Sequence, residues 1–157
     1  MKLSVFACSD PGKYRKINQD NFFIISEKIN MILDKRISVT CRKSQGIFAV
    51  ADGMGGYSDG EYSSSVAIQS MQKHIDSGGN FKTKTSVEKY IDLANMLICE
   101  RIKETNKRTG STICILSIEN NVASVYNIGD SSCFLFRNGK LTKISRDHTV
   151  VAELIDM

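Results

Sequence analysis

The chain has 157 residues, 41% of them hydrophobic and 24% charged, with a formal net charge of +4. That length suits one domain with a sizeable core and is short for two, and the composition excludes a disordered or fibrous chain. The basic excess is small and scattered, short of a nucleic-acid-binding stripe, and no apolar run reaches the roughly 20 residues of a membrane helix. A soluble cytoplasmic protein is therefore expected, with neither nucleic acid nor membrane as a partner.

The first elements read as strands: Leu3–Ala7, Phe22–Ile25 and Ile29–Leu33. A polar, basic connection follows, and then the run from Gly46 to Ala51, apolar on both faces like a strand buried between layers. It is expected to stop at Asp52-Gly-Met-Gly-Gly56, which is too rich in glycine to continue a strand or start a helix. Two helices come next. Ser58-x-x-Glu61 and Thr85-x-x-Glu88 read as capping boxes, in which a hydroxyl and a carboxylate satisfy first-turn amides. Tyr62, Val66, Ala67, Met71 and Ile75 form the apolar face of the first helix; Val87, Tyr90, Ile91, Ala94, Leu97, Ile98 and Ile102 form that of the second. From Gly110 the period returns to strands, Thr112–Ile118, Val122–Ile128, Cys133–Arg137 and Leu141–Ile144, read as an antiparallel meander. Asn120-Asn121 and Asn138-Gly139 are its hairpin turns, the second a type I′ pair. The tail from Thr149 to Met157 begins an amphipathic helix. Strands, helices and strands in that order predict an α+β layered fold.

The five cysteines, odd in number and without a CxxC pair, support neither a zinc knuckle nor a disulfide framework, and Cys99, Cys114 and Cys133 read as small core residues. His74 and His148 read as surface or capping residues. What remains is a set of aspartates at strand ends: Asp20 in Asn18-Gln-Asp-Asn21, Asp52 before its glycine turn, and Asp130 after Gly129. A carboxylate at the edge of a core is costly unless it meets a cation, and carboxylates with backbone carbonyls are the donors that Mg²⁺ and Mn²⁺ prefer. Arg15, five residues before Asp20, offers a planar fork suited to phosphate. Each residue alone also suits a plainer role, as turn former or surface charge.

In order, Arg15-x-x-Asn18-Gln-Asp-Asn21, Phe48-Ala-Val-Ala-Asp52-Gly-Met-Gly-Gly56, Gly110-Ser-Thr112 and Asn127-Ile-Gly-Asp-Ser131 resemble the metal-dependent serine/threonine protein phosphatases of the PPM type (type 2C) in their bacterial form. The resemblance runs from Ser9 to about His148, and the glycine-rich element after the buried strand is its most specific part. It implies a single PPM-type domain over 1–157, a sandwich of two antiparallel β-sheets flanked by helices and incomplete at the C-terminus.

The resemblance further implies a two-metal centre for Mg²⁺ or Mn²⁺ and hydrolysis of phosphoserine or phosphothreonine by a metal-activated water, without a protein nucleophile. Asp52 matches the bridging ligand, Gly53 a backbone-carbonyl ligand, and Asp130 a third-metal aspartate. Gln19 and Asp20 match positions that order metal-bound waters, and Arg15 matches the arginine that holds the phosphate. Met54 stands where eukaryotic relatives place a histidine proposed as general acid. Phosphoproteins, products of a cognate serine/threonine kinase, are the implied partners. The family's later Asp-Gly and Asp-Asn elements have no match, so the second metal site lacks ligands and weak activity is expected of the chain alone. The competing expectation is an inactive phosphatase-like module that binds a phosphoprotein or partner chain.

Overall fold

The computed structural model describes residues 3–14, 16–25, 28–31, 37–41, 45–55 and 59–149. In chain order these form β1 (Leu3–Ala7), β2 (Asp20–Ile25), β3 (Lys28–Met31), β4 (Ile37–Cys41), β5 (Gly46–Met54), α1 (Asp59–Asp76), α2 (Lys84–Thr105), β6 (Gly110–Ser111), β7 (Ile113–Glu119), β8 (Val122–Ile128), β9 (Phe134–Arg137) and β10 (Lys140–Lys143). A six-stranded antiparallel sheet in the order β3-β2-β5-β7-β8, with β6 added beside β5, is the centre of the molecule. The pairs β1–β4 and β9–β10 are separate two-stranded antiparallel ribbons.

The sheet has two apolar faces, as the continuous apolar run of β5 requires. Phe23, Ala49, Ala51, Ile113 and Ile115 point to the helical side. There they meet Ala67, Ile68 and Met71 of α1 and Val87, Tyr90 and Ala94 of α2, with Phe81 sealing the link between the helices. Residues of the alternate register, Phe22, Ile24, Phe48 and Cys114, line an apolar slot of about 330 Å³ on the other side, together with Val5, Phe6 and Ala7 of β1. The strand period of two thus sorts the residues of β5 between the helical core and this slot, where Val50 is about half exposed.

Several boundaries differ from expectation, each for a local reason. β5 continues through Asp52 and Gly53 to Met54, because β6 pairs Gly53 with Ser111 and Met54 with Gly110. The polar connection contains β4, whose Ile37-Ser-Val-Thr-Cys41 alternates apolar and polar residues and pairs in register with β1. Helix α2 is capped by Thr83, whose side chain accepts from the Ser86 amide at 3.3 Å, two residues before the expected box. The expected meander divides after β8: among the described residues, β9 and β10 pair only with each other. Asn120, Asn121, Asn138 and Gly139 all have positive φ, as the two hairpin turns demand. The Ser58 cap and residues 150–157 of the expected terminal helix lie outside the described residues.

His74 is a core residue and not a surface one. Its Nε2 lies 3.0 Å from Ser86 Oγ and 3.3 Å from the Asn80 carbonyl, and its ring stands edge-on to Phe81 at 5.4 Å. Cys114 is buried, whereas Cys99 and Cys133 are only half-buried.

Tyr90 is fully buried, and its hydroxyl donates to the Ala67 carbonyl of α1 at 3.0 Å. Burial pushes the phenol far above its usual pKa, so it stays neutral and bonded. Tyr90→Phe keeps the packing and removes the bond; urea denaturation is expected to show a loss of about 1 kcal/mol. A change below 0.3 kcal/mol would show that this bond does not tie the helices together.

Candidate metal centre

β2 and β5 pair so that Asp20 stands directly opposite Asp52, one step beyond Asn21 opposite Ala51. Ala51 faces the helices, so by alternation Asp20 and Asp52 emerge together on the slot side. Directly opposed residues have Cβ atoms about 4.5–5.5 Å apart, and like charges so placed repel. Both side chains border a polar cleft of about 440 Å³, completed by Cys8, Ser9, Asp10 and Ser131.

The main chain around the pair is held by polar side chains from several segments. Asn18 Oδ1 accepts from the Asp20 amide at 3.1 Å, and Asn18 Nδ2 donates to Ser9 Oγ at 2.6 Å. Asp10 accepts from the Gly12 amide at 2.8 Å, closing the turn that brings it to the cleft. On the other side, Thr112 Oγ1 accepts from the Asp52 amide at 3.0 Å and lies 2.6 Å from Ser131 Oγ. The Thr112 amide donates to the Asp52 carbonyl at 2.9 Å. The Gly110-Ser-Thr112 motif therefore clamps Asp52 from the neighbouring strand and joins it to the segment that carries Asp130.

The glycine-rich element works by close approach. The Gly53 amide donates to the Gln19 carbonyl at 3.1 Å, and the Gln19 side-chain amide donates to the Gly55 carbonyl at 2.9 Å. A Cβ on Gly53 would collide with the Gly60 carbonyl at the start of α1, and one on Gly60 would stand 2.9 Å from the Gly53 carbonyl. Thr109 Oγ1 lies 2.6 Å from the Asp59 carbonyl and 3.1 Å from that of Met54, bracing the same junction. The buried Asp59 carboxylate sits 3.1 Å from Lys107 Nζ and 3.9 Å from Arg101, whose guanidinium lies over the Tyr62 ring.

Of the residues singled out from sequence, the structure brings Asp20 and Asp52 together, with Gln19 and Gly53 in the chain immediately beside them. Asp130 is exposed next to Ser131 and does not line the cleft itself. Arg15 lies outside the described residues. Asp10 was not anticipated; its only sequence signal is the Asp-Pro-Gly turn ahead of the Arg15 motif. Asp147, beside His148, turns instead to Lys143 at 2.6 Å and Ser132 at 3.3 Å. The Lys143 hydrogen bond holds its carboxyl below the usual carboxylate range.

Among the described residues no group of three His, Cys, Asp or Glu side chains could hold an ion unaided. The donor set nevertheless fits a hard divalent cation. Mg²⁺ binds through one or two carboxylates, keeps several waters, and takes further oxygens from a substrate phosphate. Asp52 would supply a carboxylate to the ion, and Asp20, opposite it on the same cleft, would order the waters around it.

Known proteins share the sequence pattern and the fold of this chain. The family model for protein phosphatase 2C matches residues 13–154. The chain is 31% identical over 115 residues to the serine/threonine protein phosphatase PstP of Mycobacterium tuberculosis, covering 70% of this chain and 22% of that protein. It is 25% identical over 160 residues to the serine/threonine phosphatase stp of Listeria welshimeri, covering 94% of this chain and 55% of that protein. The catalytic domain of PstP, solved in complex with two manganese ions, superposes with a TM-score of 0.74 at 25% identity, over 99% of this chain and 61% of that one. The chain thus spans about a fifth of the one curated relative and just over half of the other.

Proposed function

Because the chain belongs to the protein phosphatase 2C family, we propose that it hydrolyses phosphoserine and phosphothreonine monoesters on proteins with Mg²⁺ or Mn²⁺. The observation that carries this reading is the opposition of Asp20 and Asp52 across two strands at the head of a polar cleft. Two carboxylates brought to one cleft concentrate negative charge that a divalent cation held there would neutralise.

When bound, the divalent ions supply an activated water and screen the charge of the phosphate. The residues of the chain do the rest. Asp52, fixed by Thr112 through its own amide and carbonyl, provides the principal ligand. Gly53 contributes its carbonyl, and Asp20 with Gln19 orients waters beside it. Asp130, on the segment tied to Thr112 through Ser131, serves a further cation. Arg15 offers two parallel donors to the equatorial oxygens of the phosphoryl group, whose charge grows in a loose transition state. No side chain acts as nucleophile. Met54, half-exposed at the end of β5, has no proton to give, so protonation of the leaving serine or threonine falls to water.

The substrates are then products of a serine/threonine kinase, and the reaction belongs in the cytoplasm. Among the described residues no helix is long and apolar enough to cross a membrane. Phosphate release from a phosphothreonine peptide measures the activity. It is expected only with Mn²⁺ or Mg²⁺ present, and lost on chelation or in Asp52→Asn. Release that survives both treatments would overturn the proposal.

A further inference from the structure

We propose that Ser9 and Ser131 donate hydrogen bonds to the oxygens of a phosphate bound in the metal cleft, a reading that rests on the cation site proposed above. Both residues line the cleft, together with Asp10, Asp20 and Asp52. They come from separate segments, Ser9 from the chain after β1 and Ser131 from the chain after β8. Each stands at the end of a two-step relay of hydrogen bonds that starts from the main chain of one of the opposed aspartates.

The Asp20 amide donates to Asn18 Oδ1 at 3.1 Å, which fixes the orientation of that side chain, and Asn18 Nδ2 donates to Ser9 Oγ at 2.6 Å. The Asp52 amide donates to Thr112 Oγ1 at 3.0 Å, and Thr112 Oγ1 lies 2.6 Å from Ser131 Oγ. Asn18 and Thr112 are both buried. A buried hydroxyl proton requires an acceptor, and among the described residues Ser131 Oγ is the one within reach of Thr112 Oγ1. Thr112 therefore donates and Ser131 accepts, as Ser9 accepts from Asn18. Each serine has used a lone pair and kept its own proton, and among the described residues neither proton has a protein acceptor. A hydroxyl that accepts at the end of such a relay is polarised into a better donor.

The chemistry of the cleft decides what these protons serve. Among the described residues its charged side chains are all carboxylates, of Asp10, Asp20 and Asp52, which accept hydrogen bonds and donate none. A water on a cation turns its lone pair to the metal and its hydrogens outward, so it suits the carboxylates and not the serine protons. An unprotonated phosphate oxygen is the complement: it carries negative charge and only lone pairs, and hydrogen bonds to such an oxygen are roughly twice as strong as neutral ones. The two serines thus add donors where the aspartates supply only acceptors, and the same relays that fix the aspartates aim the donors.

Phosphorus NMR relaxation of inorganic phosphate, titrated against the Mn²⁺-loaded chain, reads phosphate binding, and calorimetry reads Mn²⁺ binding separately. In Ser9→Ala and in Ser131→Ala the phosphate affinity is expected to fall about tenfold, while Mn²⁺ affinity moves by less than about threefold. Ser9→Thr and Ser131→Thr keep the hydroxyl and are expected to stay within about threefold of the parent for phosphate. Unchanged phosphate affinity in either alanine variant overturns the inference for that serine. An equal loss of Mn²⁺ affinity also overturns it, since the serines would then act by holding Asp20 and Asp52 and not by binding phosphate. A parent chain that binds no Mn²⁺ overturns the cation site and this inference with it, whereas a parent that binds Mn²⁺ but no phosphate overturns this inference alone. None of these readouts depends on phosphatase activity.

Discussion

In Asp52→Asn, Mn²⁺ binding is expected to weaken on the order of 100-fold, while the metal-free fold becomes more stable by roughly 0.5 kcal/mol. The two signs follow from one geometry. Asp20 and Asp52 are directly opposed across β2 and β5, and removing one negative charge relieves their repulsion when no cation lies between them. The same substitution removes the ligand that Thr112 holds in place through the Asp52 amide. Changes to groups that only orient a ligand already cost about 10–100-fold in affinity, so loss of the ligand itself belongs at the upper end or beyond.

Calorimetric titration with Mn²⁺ and urea denaturation in chelator read the two effects separately. If Asp52→Asn instead lost stability without metal, its carboxylate would be serving the fold and not a cation.

Much of this arrangement was legible in the sequence, and the exceptions share a cause. The apolar periods located β5, both helices and the β7–β8 hairpin, because burial dictates those residues wherever the strands pair. What periodicity cannot supply is the partner. β4 is hard to read in its polar stretch because so short an alternating strand offers only a few apolar residues, and its strand identity comes from pairing with β1. The end of β5 was misjudged for the same reason: Gly53 and Met54 remain in a strand because β6, more than fifty residues later, supplies their pairing. His74 reads as polar in sequence, yet Ser86 and Asn80 satisfy it inside the core. The metal centre shows the limit most clearly. Asp20 and Asp52 could each be named from local motifs, but their face-to-face register, and the arrival of Asp10 on the same cleft, are properties of the folded sheet alone.

Gly53→Ala tests the other half of the glycine-rich element, and it is expected to cost about 3 kcal/mol or more. The added methyl would fall on the Gly60 carbonyl and stand 2.9 Å from that of Gln19, both backbone atoms. Relief therefore requires α1 to withdraw from β5, which would separate Ala67, Ile68 and Met71 from Ala49 and Ala51. Gly60→Ala supplies the contrast. Its methyl would meet the Gln19 side-chain amide at 2.8 Å, a group able to rotate away, although the Gly53 carbonyl at 2.9 Å still resists. A smaller loss of about 1–2 kcal/mol is expected there, with the Gln19 bond to the Gly55 carbonyl given up. Urea denaturation of both variants in chelator ranks the two costs without reference to metal. Equal losses, or a milder effect at Gly53, would show that β5 and α1 do not meet backbone to backbone. The predicted order would mean that glycine at 53 is required first by the approach of the helix, and that any use of its carbonyl by a cation is built on that contact.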